Sequence, residues 1–146
     1  MKKQIIALAG VYDCGKTTTL RMIRDAILQD LGGKIIGGYN GQGDIKLIID
    51  IKGFKIGIES QGDPRGRLDA SLTEFVSIHC EVIICACRSY GQTRKRVESY
   101  GSSHDLAILD KYRAASGSQL QENEKYRDDV LGILTERLER LSLAAA

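Results

Sequence analysis

Hydrophobic and polar residues follow one another in a pattern that predicts a strand, a loop and a helix at the start of the chain. Residues 3–10 (KQIIALAG) form an apolar run that ends in glycine, which is typical of a strand buried on both faces. After Lys16, apolar positions recur every three or four residues until the LGGK stretch at 31–34. This recurrence predicts a helix whose buried face carries Leu20, Ile23, Ile27 and Leu31.

The middle of the chain predicts a second strand and then a β-hairpin. Residues 34–41 (KIIGGYNG) form a short apolar stretch that runs into a glycine-rich loop. Residues 44–51 (DIKLIIDI) and 54–60 (FKIGIES) both show alternation, and the turn-like pair Lys52-Gly53 separates them. One hairpin strand is therefore expected to run antiparallel to its neighbours.

The second half of the chain predicts a helix, a strand, a short helix, a strand and a long closing helix. These elements are expected at residues 64–80, 81–87, 92–101, 104–112 and 118–143. Residues 81–87 (EVIICAC) are the most hydrophobic run and predict a central strand. Strands that alternate with helices indicate an α/β fold, here a three-layer α/β/α sandwich with a mostly parallel sheet.

Length and composition indicate a single domain, residues 1–146, of ordinary globular character. Apolar residues make up 42% of the chain and charged residues 27%, which disfavours disorder. A formal net charge of +2 provides no general attraction to nucleic acid or membranes, so any positive site is local. The apolar run at the start is interrupted well before membrane length, so a cytoplasmic protein is expected.

The cysteines and histidines have a structural interpretation. The four cysteines do not have the spacing of a zinc site and are expected to be buried thiols, although a helix N-terminus next to Cys14 could make that thiol oxidisable. His79 and His104 have no partner at a meaningful spacing and are also interpreted as structural.

The closing helix has a leucine stripe that is expected to face the core, with a protein partner or homodimer as the alternative. The stripe consists of Leu131, Leu134, Leu138 and Leu141.

Candidate chemistry is concentrated between the first strand and the first helix, in residues 10–17 (GVYDCGKT), called the glycine loop below. Gly10 and Gly15 allow successive backbone N–H groups to point at phosphate oxygens, and the helix that follows adds N–H groups of its own. Lys16 can then reach the β- and γ-phosphates of a nucleotide, and the Thr17 hydroxyl can ligate Mg²⁺. The order of strand, glycine loop and helix makes this pattern meaningful.

The glycine loop resembles the Walker A loop of the P-loop NTPase superfamily. The resemblance implies that the chain binds a nucleoside triphosphate with Mg²⁺ and catalyses phosphoryl transfer or hydrolysis. It also implies that the phosphates contact Gly10, Val11, Tyr12, Asp13, Cys14, Gly15, Lys16, Thr17 and Thr18.

A carboxylate, usually at the end of a neighbouring strand, helps to hold the metal in such proteins. Glu59 ends the second hairpin strand and, with Gly62, resembles the acid-x-x-Gly loop of switch GTPases, which has aspartate at the first position. Glu59 is therefore the predicted metal-organising acid. Asp63 is the second candidate, and Asp50 is the third because hairpin geometry places it at the opposite end of the sheet. Gln61 is a candidate for orienting an attacking water.

Two further stretches bear on the nucleotide and on the reaction. GTPases read guanine with Asn-Lys-x-Asp after a late strand, whereas this chain has Asp110-Lys111 without the Asn or the second Asp, so ATP is expected rather than GTP. Residues 88–96 contain several arginines and resemble the lid of small P-loop kinases. That resemblance makes Arg88 and Arg94 candidates for neutralising the transferring phosphoryl group. A solvated basic helix face is the alternative for Arg94.

Three functions remain open at this point. The first is an NTPase whose hydrolysis drives a switch, and the second is a kinase that acts on a small molecule or a nucleotide. The third is a nucleotide-binding module without catalysis that acts through a partner protein. No stretch of the sequence identifies the acceptor of a kinase.

Overall fold

The structure is a computed structural model that describes residues 1–11, 14–114 and 117–146. Its strands are β1 (Lys3–Ala9), β2 (Lys34–Asn40), β3 (Ile45–Ile51), β4 (Phe54–Glu59), β5 (Val82–Cys87) and β6 (His104–Asp110). Its helices are α1 (Lys16–Asp30), α2 (Leu68–Ser77), α3 (Gln92–Glu98) and α4 (Gln119–Ala145). This order along the chain is the one that the hydrophobic pattern predicts.

The described strands form a six-stranded sheet in the order β2-β3-β4-β5-β1-β6. β4, β5, β1 and β6 pair in parallel, whereas β3 pairs antiparallel with β2 and with β4. The predicted fold class is confirmed, including the single antiparallel strand of the hairpin. Lys52 and Gly53 form the hairpin turn with φ angles of 53° and 89°, which suit the tight turns that match strand twist.

Two hydrophobic cores lie on the two faces of the sheet and give the fold its three layers. Successive residues of a strand point to opposite faces, so Ile56 and Ile58 of β4 pack in the core beneath α1 and α4. Gly57 instead faces α2, where a Cβ would lie 2.7 Å from the ring of Phe75. Phe75 belongs to the second core, to which α3 contributes Val97.

The closing helix α4 turns its leucine stripe towards the first core. Leu134 is fully buried and Leu138 is 8% exposed, and both pack with residues of the sheet and of α1. The core-facing interpretation of the stripe is therefore confirmed for these two residues. Within the part of the chain that the structure describes, none of the helices combines the length and apolar character that crossing a bilayer requires.

The strand order places β5 at the centre of the sheet, between β1 and β4. Every residue of β5 is buried, as predicted for the most hydrophobic run. The same order separates β4, which ends at Glu59, from β1, which leads into the glycine loop. Glu59 therefore does not end a strand that neighbours β1.

Candidate functional site

A polar cavity of about 380 Å³ lies at the carboxyl end of the parallel strands, where open α/β sheets bind their ligands. The glycine loop and the start of α1 form one wall of the cavity. Residues 60–63, which follow β4, form another wall, and Asp44, which precedes β3, also lines the cavity. The lining residues are Cys14, Gly15, Lys16, Thr17, Thr18, Asp44, Ser60, Gln61, Gly62 and Asp63.

Gly15 gives the glycine loop its sharp entry into α1. Its φ of 90° is left-handed, and an added Cβ would lie 2.6 Å from the Gln119 amide nitrogen and 2.7 Å from the Asn123 amide oxygen. Glycine avoids both problems because it has no Cβ. The first N–H groups of α1 have no partner within the helix, since the first helical bond at this end runs from Thr19 N–H to the Gly15 carbonyl. They are available to an anion at the cavity wall.

Lys16 is the first residue of α1, and its side chain is directed back along the glycine loop. Its ammonium group donates to the carbonyl oxygens of Gly10 at 2.6 Å and Val11 at 2.9 Å. The residue is only 9% exposed, and this burial lowers the pKa of Lys16, with the nearby Arg88 acting in the same direction. The lysine is therefore a cation with little hydration at the wall of a polar cavity.

A second buried lysine also contacts the glycine loop. Lys111 follows β6 and is 2% exposed, and its ammonium group donates to the Cys14 carbonyl at 2.7 Å. The Gln119 side chain donates to the same carbonyl at 3.3 Å. These contacts fix the loop to β6 and α4. The sequence pattern singled out Lys111 only in the comparison with the guanine motif. Its contact with the glycine loop depends on the pairing of β6 with β1.

Asp44 is the carboxylate that the structure places beside Thr17. Its Oδ1 accepts from the Thr17 hydroxyl at 3.3 Å and from the Ser60 hydroxyl at 2.9 Å, and all three residues line the cavity. Sequence reasoning missed Asp44 and Ser60. The hairpin register could have revealed them, because Lys46 pairs with Glu59 and so brings the residues just before β3 to the end of β4.

Glu59, the predicted metal-organising acid, lies near this cavity but does not line it. Its side chain is fully buried on the α2 face of the sheet. Oε1 accepts from Arg67 Nε at 2.8 Å and from the Ser71 hydroxyl, and Oε2 accepts from the Gln61 N–H at 3.1 Å. Strand alternation explains this placement, because Glu59 and Ser60 point to opposite faces. The carboxylate of Glu59 already has protein partners.

The remaining acid candidates separate as hairpin geometry predicts. Asp50 pairs with Lys55 near the β3–β4 turn, at the end of the sheet away from the cavity. Asp63 lines the cavity and forms an ion pair with Arg88 at 2.9 Å. Gln61 also lines the cavity, and its side-chain oxygen accepts from the Arg67 N–H at 3.2 Å. Of the predicted acids, the structure therefore brings Asp63 to the cavity.

The two predicted arginines have different environments. Arg88 directly follows β5 and reaches Asp63, so it lies close enough to Lys16 to influence the pKa of that lysine. Arg94 instead donates to Asp110 at 2.8 Å and to the Ser89 carbonyl at 3.2 Å. The bond to Asp110 raises the pKa of Arg94 and ties α3 to the end of β6. Arg88 is therefore held beside Asp63 of the cavity lining, whereas Arg94 is held at the end of β6, and neither arginine is itself among the lining residues.

The remaining predicted contacts of the loop concern residues 11–14. Tyr12 and Asp13 lie outside the described residues. Val11 is 45% exposed, whereas Cys14 is 1% exposed. All four cysteines are buried free thiols, as predicted, and burial raises the pKa of Cys87 to about 11. The oxidation of Cys14 stays a prediction.

Comparison with family models and with curated proteins gives no match. Among solved structures, a crystal structure of APE1195 is similar, with 18% sequence identity and a TM-score of 0.39. The alignment covers 94% of this chain and 75% of the APE1195 chain. Similarity at that level supports no inference about function. The functional argument therefore depends on the residues of the cavity.

Proposed function

We propose that this chain binds Mg·ATP at the glycine loop and catalyses transfer of the γ-phosphoryl group, to water or to a small acceptor. The observation that carries the proposal is the meeting of Lys16, Thr17 and Asp44 in one polar cavity at the N-terminus of α1. A cation, a helix N-terminus and a hydroxyl–carboxylate pair are the groups that phosphates and Mg²⁺ require.

The residues of the cavity suit a triphosphate. The N–H groups at the start of α1 would donate to phosphate oxygens, and the Lys16 ammonium would exchange its two backbone carbonyl partners for the β- and γ-phosphates. This exchange recovers the charge-assisted hydrogen bonds that a partly desolvated lysine favours. Lys111 and Gln119 hold the Cys14 carbonyl and so keep the loop in position.

The residues also suit a magnesium ion held jointly with the phosphates. Proteins usually bind Mg²⁺ through one or two carboxylates together with substrate phosphates, and Thr17 and Asp44 supply a hydroxyl and a carboxylate at adjacent positions. Among residues 1–11, 14–114 and 117–146, no group of three or more His, Cys, Asp or Glu is placed to hold a metal ion. When bound, the ion supplies positive charge against the β- and γ-phosphate oxygens.

ATP is the proposed nucleotide because the guanine-reading residues of GTPases have no counterpart after β6. Asp110 lies at the position of the Asn, and its carboxylate is engaged by Arg94 at 2.8 Å. Arg113 lies at the position of the second Asp and has no carboxylate to accept from guanine N–H groups.

Transfer to a small acceptor is the form of the reaction that the Asp63–Arg88 pair favours. Arginine neutralises charge that develops on a transferring phosphoryl group, and Arg88 lies near Lys16 and is paired with Asp63 of the cavity lining. A carboxylate beside that arginine can accept the proton of an attacking hydroxyl.

Replacing Lys16 tests the binding step. We expect Lys16→Ala to weaken Mg·ATP binding by about 100-fold, near 2.7 kcal/mol, because charge-assisted hydrogen bonds to the phosphates are lost. Isothermal titration calorimetry measures the affinity, and circular dichroism checks the fold. Lys125→Ala, on an exposed turn of α4, is the matched control and should bind like the wild type. Equal affinity of the Lys16 variant and this control would contradict the proposal, whereas binding without turnover would favour a module without catalysis.

A further inference from the structure

A second cavity adjoins the first and shares one residue with it. This cavity, called the acceptor cavity below, has a volume of about 210 Å³ and lies between the loop after β4 and the first turns of α2 and α3. Asp63 lines both cavities. Of the other residues that line the acceptor cavity, the argument uses Leu68, Asp69, Gln92, Thr93 and Arg96.

The wall between the two cavities is firmly positioned. A Cβ on Gly62 would lie 2.6 Å from the carbonyl group of Ala86, so the loop after β4 rests directly against the end of β5. Asp63 is joined to Arg88 at 2.9 Å, and the Arg88 N–H donates to the Thr93 hydroxyl oxygen at 2.9 Å. The loop, β5 and α3 therefore meet at the boundary between the cavities.

The charges around the acceptor cavity disfavour an anionic ligand. Asp63 and Asp69 contribute two carboxylates, and two guanidiniums face them: Arg88 is paired with Asp63 at 2.9 Å, and Arg96 lines the cavity itself. That guanidinium is already engaged, because Arg96 forms an ion pair with Asp69 and donates to the Tyr100 hydroxyl at 3.0 Å. Because these carboxylates and guanidiniums neutralise one another, a phosphorylated or carboxylated ligand would gain no net positive charge to offset its loss of hydration.

The size and the polar groups of the acceptor cavity favour a small ligand with hydroxyl groups. Its volume is below the 300–1,000 Å³ range that is usual for pockets of drug-sized ligands, so it suits a molecule smaller than a nucleotide. The Asp63 carboxylate and the Gln92 amide oxygen can accept hydrogen bonds from hydroxyl groups, and the Thr93 hydroxyl can donate one. Leu68, which is 2% exposed, is an apolar residue of the lining.

We propose that the acceptor cavity binds the phosphoryl acceptor, and that this acceptor is a small, uncharged polyhydroxyl compound of the sugar or polyol class. The inference rests on the proposed function, because it requires ATP in the neighbouring cavity. An acceptor oxygen forms a bond to the γ-phosphorus, and the bond from that phosphorus to the β–γ bridging oxygen breaks, with its electron pair leaving on ADP. The hydroxyl proton passes to the carboxylate of Asp63.

Filling the acceptor cavity tests the location of the acceptor. The enzyme is incubated with Mg²⁺ and ATP labelled in the γ-phosphate, with an uncharged set (glucose, ribose, glycerol, inositol) or an anionic set (glucose 6-phosphate, AMP, glycerate), and the labelled products are separated. We expect label in a compound of the uncharged set. Gln92→Trp should raise the KM of that compound at least about tenfold, with ATP affinity unchanged. Lys95→Trp, exposed on the same helix and outside the cavity, is the control.

A second variant tests the role of Asp63. We expect Asp63→Asn to lower the kcat for the labelled compound about 100-fold or more, which is the usual contribution of a general base. Wild-type kcat in this variant would overturn the assignment of the proton to Asp63.

The remaining outcomes separate the acceptor proposal from the proposed function. If ATP binds but label passes only to anionic compounds or to water, or if the two tryptophan variants behave alike, the acceptor proposal is overturned and the nucleotide site stands. If the wild type binds Mg·ATP no better than Lys16→Ala does, the proposed function fails and the acceptor proposal fails with it.

Discussion

Two carboxylates at one end of the sheet, Asp44 and Glu59, have opposite environments although the hairpin brings their strand ends together. Glu59 is fully buried, and both of its oxygens accept hydrogen bonds from protein groups, one of which is the Arg67 guanidinium. Asp44 lies at the wall of an open polar cavity, and its described partners are the hydroxyls of Thr17 and Ser60.

The difference separates a carboxylate that supports the fold from one that can serve a ligand. A buried carboxylate with a cationic partner is costly to disturb, because its removal leaves the other groups unsatisfied. A carboxylate held by hydroxyls at a cavity wall can exchange those partners for a metal ion or its waters. Position at the end of a strand does not distinguish these two roles. They are distinguished by the face of the sheet to which the side chain points and by the groups that it contacts.

The largest expected effect tests the role of Glu59 and concerns the free energy of unfolding. We expect Glu59→Gln to lower the free energy of unfolding by about 1.5–3 kcal/mol, the usual value of hydrogen bonds to charged groups, while the Mg²⁺ requirement of the reaction hardly changes. Urea denaturation measures the loss. Glu74→Gln, which removes the half-exposed partner of Lys46, is the control and should cost less than about 1 kcal/mol. If Glu59→Gln instead left stability intact and raised the Mg²⁺ requirement, the two carboxylates would have exchanged roles.

A smaller effect is expected at Asp44, and it concerns the metal. Asp44→Asn should raise the Mg²⁺ concentration for half-maximal turnover about tenfold, the lower end of what loss of a group supporting a metal site costs. Magnesium titration of ATP turnover provides the measurement. Asp50→Asn makes the same change at the other end of β3 and should leave the requirement within about twofold. Identical magnesium curves for these two variants would rule out Asp44 as the metal-organising acid.

The smallest effect concerns a third carboxylate, Asp105, which is paired like Glu59 but exposed like a surface group. Asp105 is the second residue of β6, at the end of the sheet away from the cavity. Arg137 donates to it at 2.7 Å and lowers its pKa below the usual 3.8. A lowered folded-state pKa stabilises the protein above the unfolded value, and this contribution is lost as pH falls through the folded value. We expect the wild type to melt slightly above Asp105→Asn at neutral pH, and the gap to close in acid.

Thermal melts of both proteins across the acid range measure that gap. Its persistence below the pKa of Asp105 would mean that the carboxylate acts through packing or hydrogen-bond geometry rather than through charge. The size of the gap, set beside the loss in Glu59→Gln, gives the contribution of burial to such a pair.

Local pattern was sufficient for the elements and for the glycine loop. The run at residues 3–10, the helical recurrence after Lys16 and the Lys52-Gly53 turn each depend on neighbours within a few residues, and the structure has a strand, a helix and a hairpin there. The placement of Asp50 away from the cavity also followed, because hairpin strands run in opposite directions. Each of these features is fixed by backbone geometry over short distances.

The partners of the glycine loop could not be predicted in this way. Lys111 reaches the Cys14 carbonyl only because β6 pairs with β1, and Glu59 ends a strand that β5 separates from β1. Strand order depends on which surfaces pack together across the whole chain, and hydrophobic periodicity has no information about it.

The sequence by itself determined the α/β class, the order of the elements and the position of the glycine loop between β1 and α1. The tertiary structure decided which acid stands beside Thr17, which arginine approaches Lys16, and that a second cavity adjoins the first. The physical reason is the range of the interactions: helix, strand and turn geometry is set by nearby residues, whereas a site is assembled by side chains that sheet order and strand alternation bring together from distant positions.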